Sequence, residues 1–175
     1  PVPLRELDGT AFDFEISPDG RRIALSLENE RGMDIWVFDR VRETLTRQTF
    51  AKGARYYHPV WHPDGTRIAF GLQWADEESR FAVAVAYVGS SDAPEQIFES
   101  ESLVRPTSWS SDGSTLLAMI RLQDGSDDIW AIPADGDGTP HPVFASEFDD
   151  DWPALSPDGN WLVYEGLQSG QDEIY

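Results

Sequence analysis

One short phrase recurs four times along the chain: Ser17-Pro18-Asp19-Gly20, His62-Pro63-Asp64-Gly65, Ser110-Ser111-Asp112-Gly113 and Ser156-Pro157-Asp158-Gly159. Its closing glycines are 45, 48 and 46 residues apart. A period of that length marks one supersecondary unit stacked on copies of itself, and the unit of that size is a propeller blade. Pro pre-sets φ for a type I turn, Asp bonds locally to the backbone, and Gly supplies the left-handed residue of a bulged hairpin. Asp19, Gly20, Asp64, Gly65, Asp112, Gly113, Asp158 and Gly159 are therefore expected to shape hairpins and to carry no chemistry.

An apolar run follows each phrase, at 22–25, 67–70, 116–119 and 161–164. Near-continuous apolar character predicts a strand covered on both faces, as between stacked blades. A third strand is expected at 34–37, 81–86, 128–131 and 173–175, and a polar-edged fourth at 44–47, 95–98 and 141–144. Pro142 suits that outer edge, where a missing N–H is harmless. The expected fold is all-β: a β-propeller of four-stranded antiparallel blades, about four of them, the last incomplete. It forms one partial propeller over 1–175, with repeats at approximately 10–50, 54–99, 102–145 and 147–175. Residues 3–7 are expected to supply an outer strand to a neighbouring or closing blade. Because the fourth repeat stops inside its third strand, the pattern favours a piece of a longer propeller over a closed four-bladed ring. An open blade edge then invites self-association.

Composition removes several function classes. A formal charge of -19, from 13 basic and 32 acidic residues, argues against nucleic acid, whose backbone is bound through Lys and Arg. The absence of Cys excludes disulfides, thiolate metal sites and cysteine nucleophiles. No run approaches the roughly 20 apolar residues of a membrane-spanning helix, so no membrane insertion is expected.

The stretch Val60-Trp61-His62-Pro63-Asp64-Gly65-Thr66-Arg67-Ile68-Ala69-Phe70, with Asp34-Ile35-Trp36 and Asp128-Ile129-Trp130, resembles the TolB-type, WD-like propeller repeat. Residues 34–50 and 128–162 are similar to propellers fused to bacterial serine/threonine kinase domains, and similar repeats occur in the propellers of prolyl-oligopeptidase-type enzymes. The resemblance covers essentially the whole chain. It implies a binding or scaffold module, with a protein or peptide partner and, by family alone, an extracytoplasmic or periplasmic setting. It says little about chemistry, because unrelated functions share one fold.

No G-x-S-x-G elbow, P-loop or H-E-x-x-H segment is present, so no catalytic residue is assigned and no cofactor is expected. His58 and His62 have i,i+4 spacing, but Pro59 and Pro63 forbid a helix, and on a strand they would stand about 13 Å apart. His62, standing where the other phrases have Ser, is expected to be structural. Asp135-Gly136-Asp137-Gly138 begins like a calcium loop without its closing Glu, and Asp149-Asp150-Asp151 reads first as a solvated loop. Neither is assigned a metal. The binding candidates lie just before each inner strand, where a propeller points side chains at its central channel: Asp13 with Phe12, Tyr57, His58, Arg105, Asp151 and Trp152. They differ from repeat to repeat while the scaffold around them does not, which suits a peptide or small polar ligand. The expected function is a non-catalytic binding or scaffold module. The alternatives are a substrate-gating domain of a serine peptidase and a TolB-like envelope interaction domain.

Overall fold

The computed structural model describes residues 9–30, 32–50, 53–74, 80–134, 138–143, 146 and 148–175. The expected strand at 3–7 and Asp135-Gly136-Asp137 lie outside them. Every regular element among the described residues is a strand. Blade 1 is β1 (Thr10–Ile16), β2 (Arg22–Asn29), β3 (Gly32–Asp39) and β4 (Thr44–Arg47). Blade 2 is β5 (Ala54–Trp61), β6 (Arg67–Trp74), β7 (Phe81–Tyr87) and β8 (Glu95–Ser100). Blade 3 is β9 (Val104–Trp109), β10 (Thr115–Arg121), β11 (Asp127–Pro133) and β12 (His141–Pro142). Blade 4 is β13 (Asp150–Leu155), β14 (Leu162–Gly166) and β15 (Glu173–Ile174). Within each blade, consecutive strands pair antiparallel.

The repeated phrase closes the first hairpin of every blade. In the first, Gly20 N–H donates to Ser17 O at 2.8 Å and Ser17 N–H to Arg22 O at 2.9 Å. The four closing glycines have φ of 69, 67, 73 and 71°, the left-handed region that costs a side-chain-bearing residue. Each turn Asp then gathers local donors. The Ser110 hydroxyl and the Ser114 N–H hold the Asp112 carboxyl down at about 2, and the Ser156 hydroxyl does the same for Asp158, also about 2.

Alternation along each strand builds a core on both faces of blade 2. Ile68, Phe70 and Leu72 of β6, with Ala82, Ala84 and Ala86 of β7, pack against Ala24, Ile35 and Val37 of blade 1. The opposite face, Ala69, Val83 and Val85, meets Val104, Leu116, Ala118, Ile120 and Ile132 of blade 3. Small residues on the central strands let the sheets approach closely, and each buried large side chain contributes about 1.5–3 kcal/mol.

Polar links join blade to blade in a repeating pattern. The Trp61 indole N–H donates to Glu15 O at 3.2 Å, and one blade on, the Trp109 indole donates to Val60 O at 3.3 Å. The turn glycines are also bound across the gap. Arg22 donates to Gly65 O at 2.6 Å, and His62 Nε2 lies 3.2 Å from Gly113 O. His62 is buried, its ring 4.8 Å from that of Trp109, so it serves as an inter-blade bolt.

The four sheets form an open arc. Blade 4 packs on blade 3 through β13, and no strand ladder joins it to blade 1 among the described residues. The expectation that every second-strand run is covered on both faces therefore fails at β14. Val163 is exposed there, beside Trp161 at 72% and Ile174 at 70%, because among the described residues no further sheet lies over that face. On β1 of blade 1, Phe14, 70% exposed, and Ile16 are bare as well.

Candidate functional site

Strand register brings the four blades to one comparable position. Asp13 lies opposite Ser26, Tyr57 opposite Gly71, Arg105 opposite Met119 and Asp151 opposite Glu165. All four ladders shift close to this point, at Ala11/Asp13, Tyr57/Val60, Leu117/Ala118 and Asp151/Ala154. A bulge inserts an unpaired residue and re-aims the side chains beside it. The candidates thus stand within the inner strands, at their bulges, and not ahead of them as the sequence suggested. Apolar runs at the second strands are easy to delimit; the mixed polarity of the bulged first strands hides where those strands begin.

Two of the bulges carry strained backbone. His58 and Trp152 have φ of 48 and 50°, each immediately before a proline. Bulky residues rarely adopt this region, and they persist there only where the surroundings hold them. The result is that both rings turn toward each other, with centroids 5.8 Å apart. His58 Nδ1 lies 3.4 Å from Asp13 Oδ1, while Asp13 Oδ2 accepts the Ser26 hydroxyl at 2.9 Å. Burial lowers the His58 pKa and Asp13 opposes that only in part, so the ring is neutral near pH 7.

Asp13, His58 and Trp152 open onto a cavity of about 360 Å³. Every inner strand contributes to it: Phe12, Asp13 and Glu15 from β1, His58 from β5, Thr107 from β9 and Trp152 from β13. No motif marks Glu15, although it lies two residues beyond Asp13 and so on the same strand face. Its carboxylate accepts the Trp61 backbone N–H. Burial pushes its pKa up to about 7, the Trp61 bond opposing.

Tyr57, Arg105 and Asp151 flank this cavity without lining it. The Tyr57 ring lies over Gly71, where any Cβ would collide with it, and burial raises the pKa of its hydroxyl. Arg105 pairs with Asp127 at 3.6 Å, and Asp127 also receives Arg121 through two bonds of 2.5 and 2.6 Å. Carboxylate oxygens of Asp127, Asp149 and Asp151 lie within 4.8 Å of one another. Burial first, then the Asp127 and Asp149 charges, push Asp151 up to about 6. The acidic run is not the solvated loop expected from its composition. Asp150, 1% exposed, accepts the Ser146 hydroxyl at 2.5 Å and the Gln168 amide at 2.8 Å, and Asp149 accepts the Asp127 N–H at 2.5 Å. Asp127 and Arg121 have no sequence signal beyond an Asp doubled ahead of Ile129. His141, at the outer edge of blade 3, is remote from the cavity lining and sits 3.2 Å from Thr139 O.

The family model for the TolB beta propeller domain matches residues 4–175. The chain belongs to that family. Among solved structures, this TolB-type propeller is similar to a protein assigned as TolB in Agrobacterium tumefaciens, with 20% identity and a TM-score of 0.78. That match covers 98% of this chain and 59% of the other. TolB from Acinetobacter baumannii matches at 17% identity and a TM-score of 0.74, over 95% of this chain and 41% of its own. A prolyl endopeptidase matches at 14% identity and a TM-score of 0.67, over 94% of this chain and 26% of its own. The propeller thus spans less than two thirds of each of these proteins, and at such identities the likeness is one of fold. No curated protein matches the sequence.

Proposed function

We propose that this TolB-type propeller is a non-catalytic binding module that takes a peptide or small polar ligand at the cavity shared by its inner strands. One observation carries this: four inner strands, each with a register shift near the same point, bring Asp13, His58, Thr107 and Trp152 to a single opening. A constant frame with varied side chains at one mouth suits recognition. The Asp13–His58 pair has the look of two thirds of a catalytic triad. The hydroxyl in the cavity, however, belongs to Thr107 and donates to Leu117 O at 3.2 Å, so its proton is committed to the strand. A role as the sensing part of a kinase-fused protein, or in protein docking at the cell envelope, would use the same surface.

The test is a displayed peptide library panned against the pure protein, followed by titration of the enriched peptides. Binding at micromolar affinity that falls at least tenfold in Trp152→Ala and in His58→Ala, with unchanged circular dichroism, is the expected result. Peptides whose affinity ignores both substitutions place the binding surface elsewhere. Turnover of peptide or nucleotide by the pure chain would overturn the non-catalytic assignment.

A further inference from the structure

The cavity has an asymmetric inventory of hydrogen-bonding groups. Three of its wall residues, Pro59, Pro106 and Pro153, have no N–H to offer. Three of its donors are turned inward. Asp13 N–H binds Ser26 Oγ at 3.0 Å, the Thr107 hydroxyl binds Leu117 O, and Trp152 N–H meets the Met119 sulfur at 3.3 Å. Against these stand the acidic groups of Asp13 and Glu15, and His58, whose Nδ1 faces Asp13 Oδ1 at 3.4 Å, an arrangement that favours Nε2 as an acceptor. Three exposed aromatic residues, Phe12, Phe14 and Trp152, also line the cavity. Arg105, whose charge reaches His58, does not line the cavity and is engaged by Asp127.

We propose that this cavity selects an organic cation rich in donors, the guanidinium of an arginine side chain presented by a peptide. The proposal rests on the binding site described above and names its ligand. An anion would face two acidic side chains and no Lys or Arg in the lining. A guanidinium brings five donors to acceptors with lone pairs to spare, and its flat face stacks on indole, where a cation is attracted to the ring. A lysine ammonium matches the charge but neither the fork geometry nor the stacking. A volume of about 360 Å³ suits one large side chain with its flanking backbone outside.

Binding should also move a proton. Glu15 shares the cavity lining with Asp13 of its own strand and His58 of β5. Arg22 of β2 stacks on Trp61 at 4.7 Å, Arg105 of β9 is paired with Asp127, and Asp151 of β13 lies beyond Trp152. With the carboxyl half-protonated near pH 7, an arriving cation ionises it, and its proton is released to the buffer.

The experiment is calorimetric titration of the intact chain at pH 7 with acetylated, amidated Gly-Arg-Gly. The Lys, Glu and citrulline analogues and acetyl-arginine amide complete the panel. The Arg peptide is expected to bind at least tenfold more tightly than its neutral citrulline isostere, more tightly than the Lys peptide, and with the Glu peptide not detectable. Asp13→Asn should weaken it tenfold or more, while Trp152→Phe, which keeps a π face, should weaken it less than Trp152→Ala. Heats in two buffers of different ionisation enthalpy should show proton release that Glu15→Gln abolishes. Acetyl-arginine amide binding as well as the peptide would assign the cavity to free guanidinium compounds and remove the peptide from the proposal. Equal binding of the citrulline or Glu peptide, or an unchanged affinity in Asp13→Asn, overturns the cation. If neutral or acidic peptides from the library bind and Trp152→Ala abolishes them, the site stands and only the cation falls. If no peptide of either set shows Trp152-dependent binding, both fall.

Discussion

At the scale of single residues, Glu15 makes the sharpest solution prediction. Its carboxyl ionises at about 7 in the fold, against 4.5 for an ordinary glutamate, because burial disfavours the charge. The folded protein therefore holds a proton that the unfolded chain has lost between those values, and stability falls as pH rises through that window. The full effect is about 3 kcal/mol, levelling off above pH 7. His58 acts with the opposite sign, its lowered pKa costing stability as pH falls below the ordinary histidine value. Urea melts of the parent and Glu15→Gln at pH 5 and pH 8 should separate the two. The substituted amide keeps an acceptor for the Trp61 N–H, and the variant should lose most of the decline across that range. An unchanged slope would mean that the Glu15 carboxyl is not desolvated.

At the scale of elements, the hairpin turns were legible because their geometry is local: Asp and Gly serve the same four-residue loop wherever it occurs. The rim positions were legible in part. Asp13, His58 and Trp152 stand out as the variable residues of a regular repeat, but their convergence depends on bulges that no short-range pattern announces. Glu15 and Asp127 escape a sequence reading because their environment is made by another blade or another strand. The inter-blade bolts are equally hidden, since His62 gives no sign in sequence that Gly113 lies beside it. Replacing His62 by Ser restores the repeat's usual turn residue while removing that bolt and leaving a void beside Trp109. His62→Ser should lower stability by about 1–3 kcal/mol in denaturant melts, despite matching the other turns. A neutral result would make the turn chemistry, not the inter-blade contact, the reason for the residue.

At the scale of the whole molecule, the arc leaves an apolar face at each end: Phe14 and Ile16 on blade 1, Trp161, Val163 and Ile174 on blade 4. Contiguous exposed apolar surface of this kind associates. Light scattering of the chain should show mass rising with concentration, and the double variant Trp161→Glu, Val163→Lys should remain monomeric with its strand content intact. A concentration-independent monomer in the parent would show that these faces are satisfied by water.

The cavity residue and the turn of each blade follow one another along the chain, three or four residues apart: Asp13 and Ser17, His58 and His62, Thr107 and Ser110, Trp152 and Ser156. Duplicating a blade therefore copies its fastener and its reading position together, and later drift at the reading position leaves the fastener untouched. On the proposed binding function, specificity in such a chain would be spelled one letter per blade, so a new ligand would need a change of spelling and no change of page.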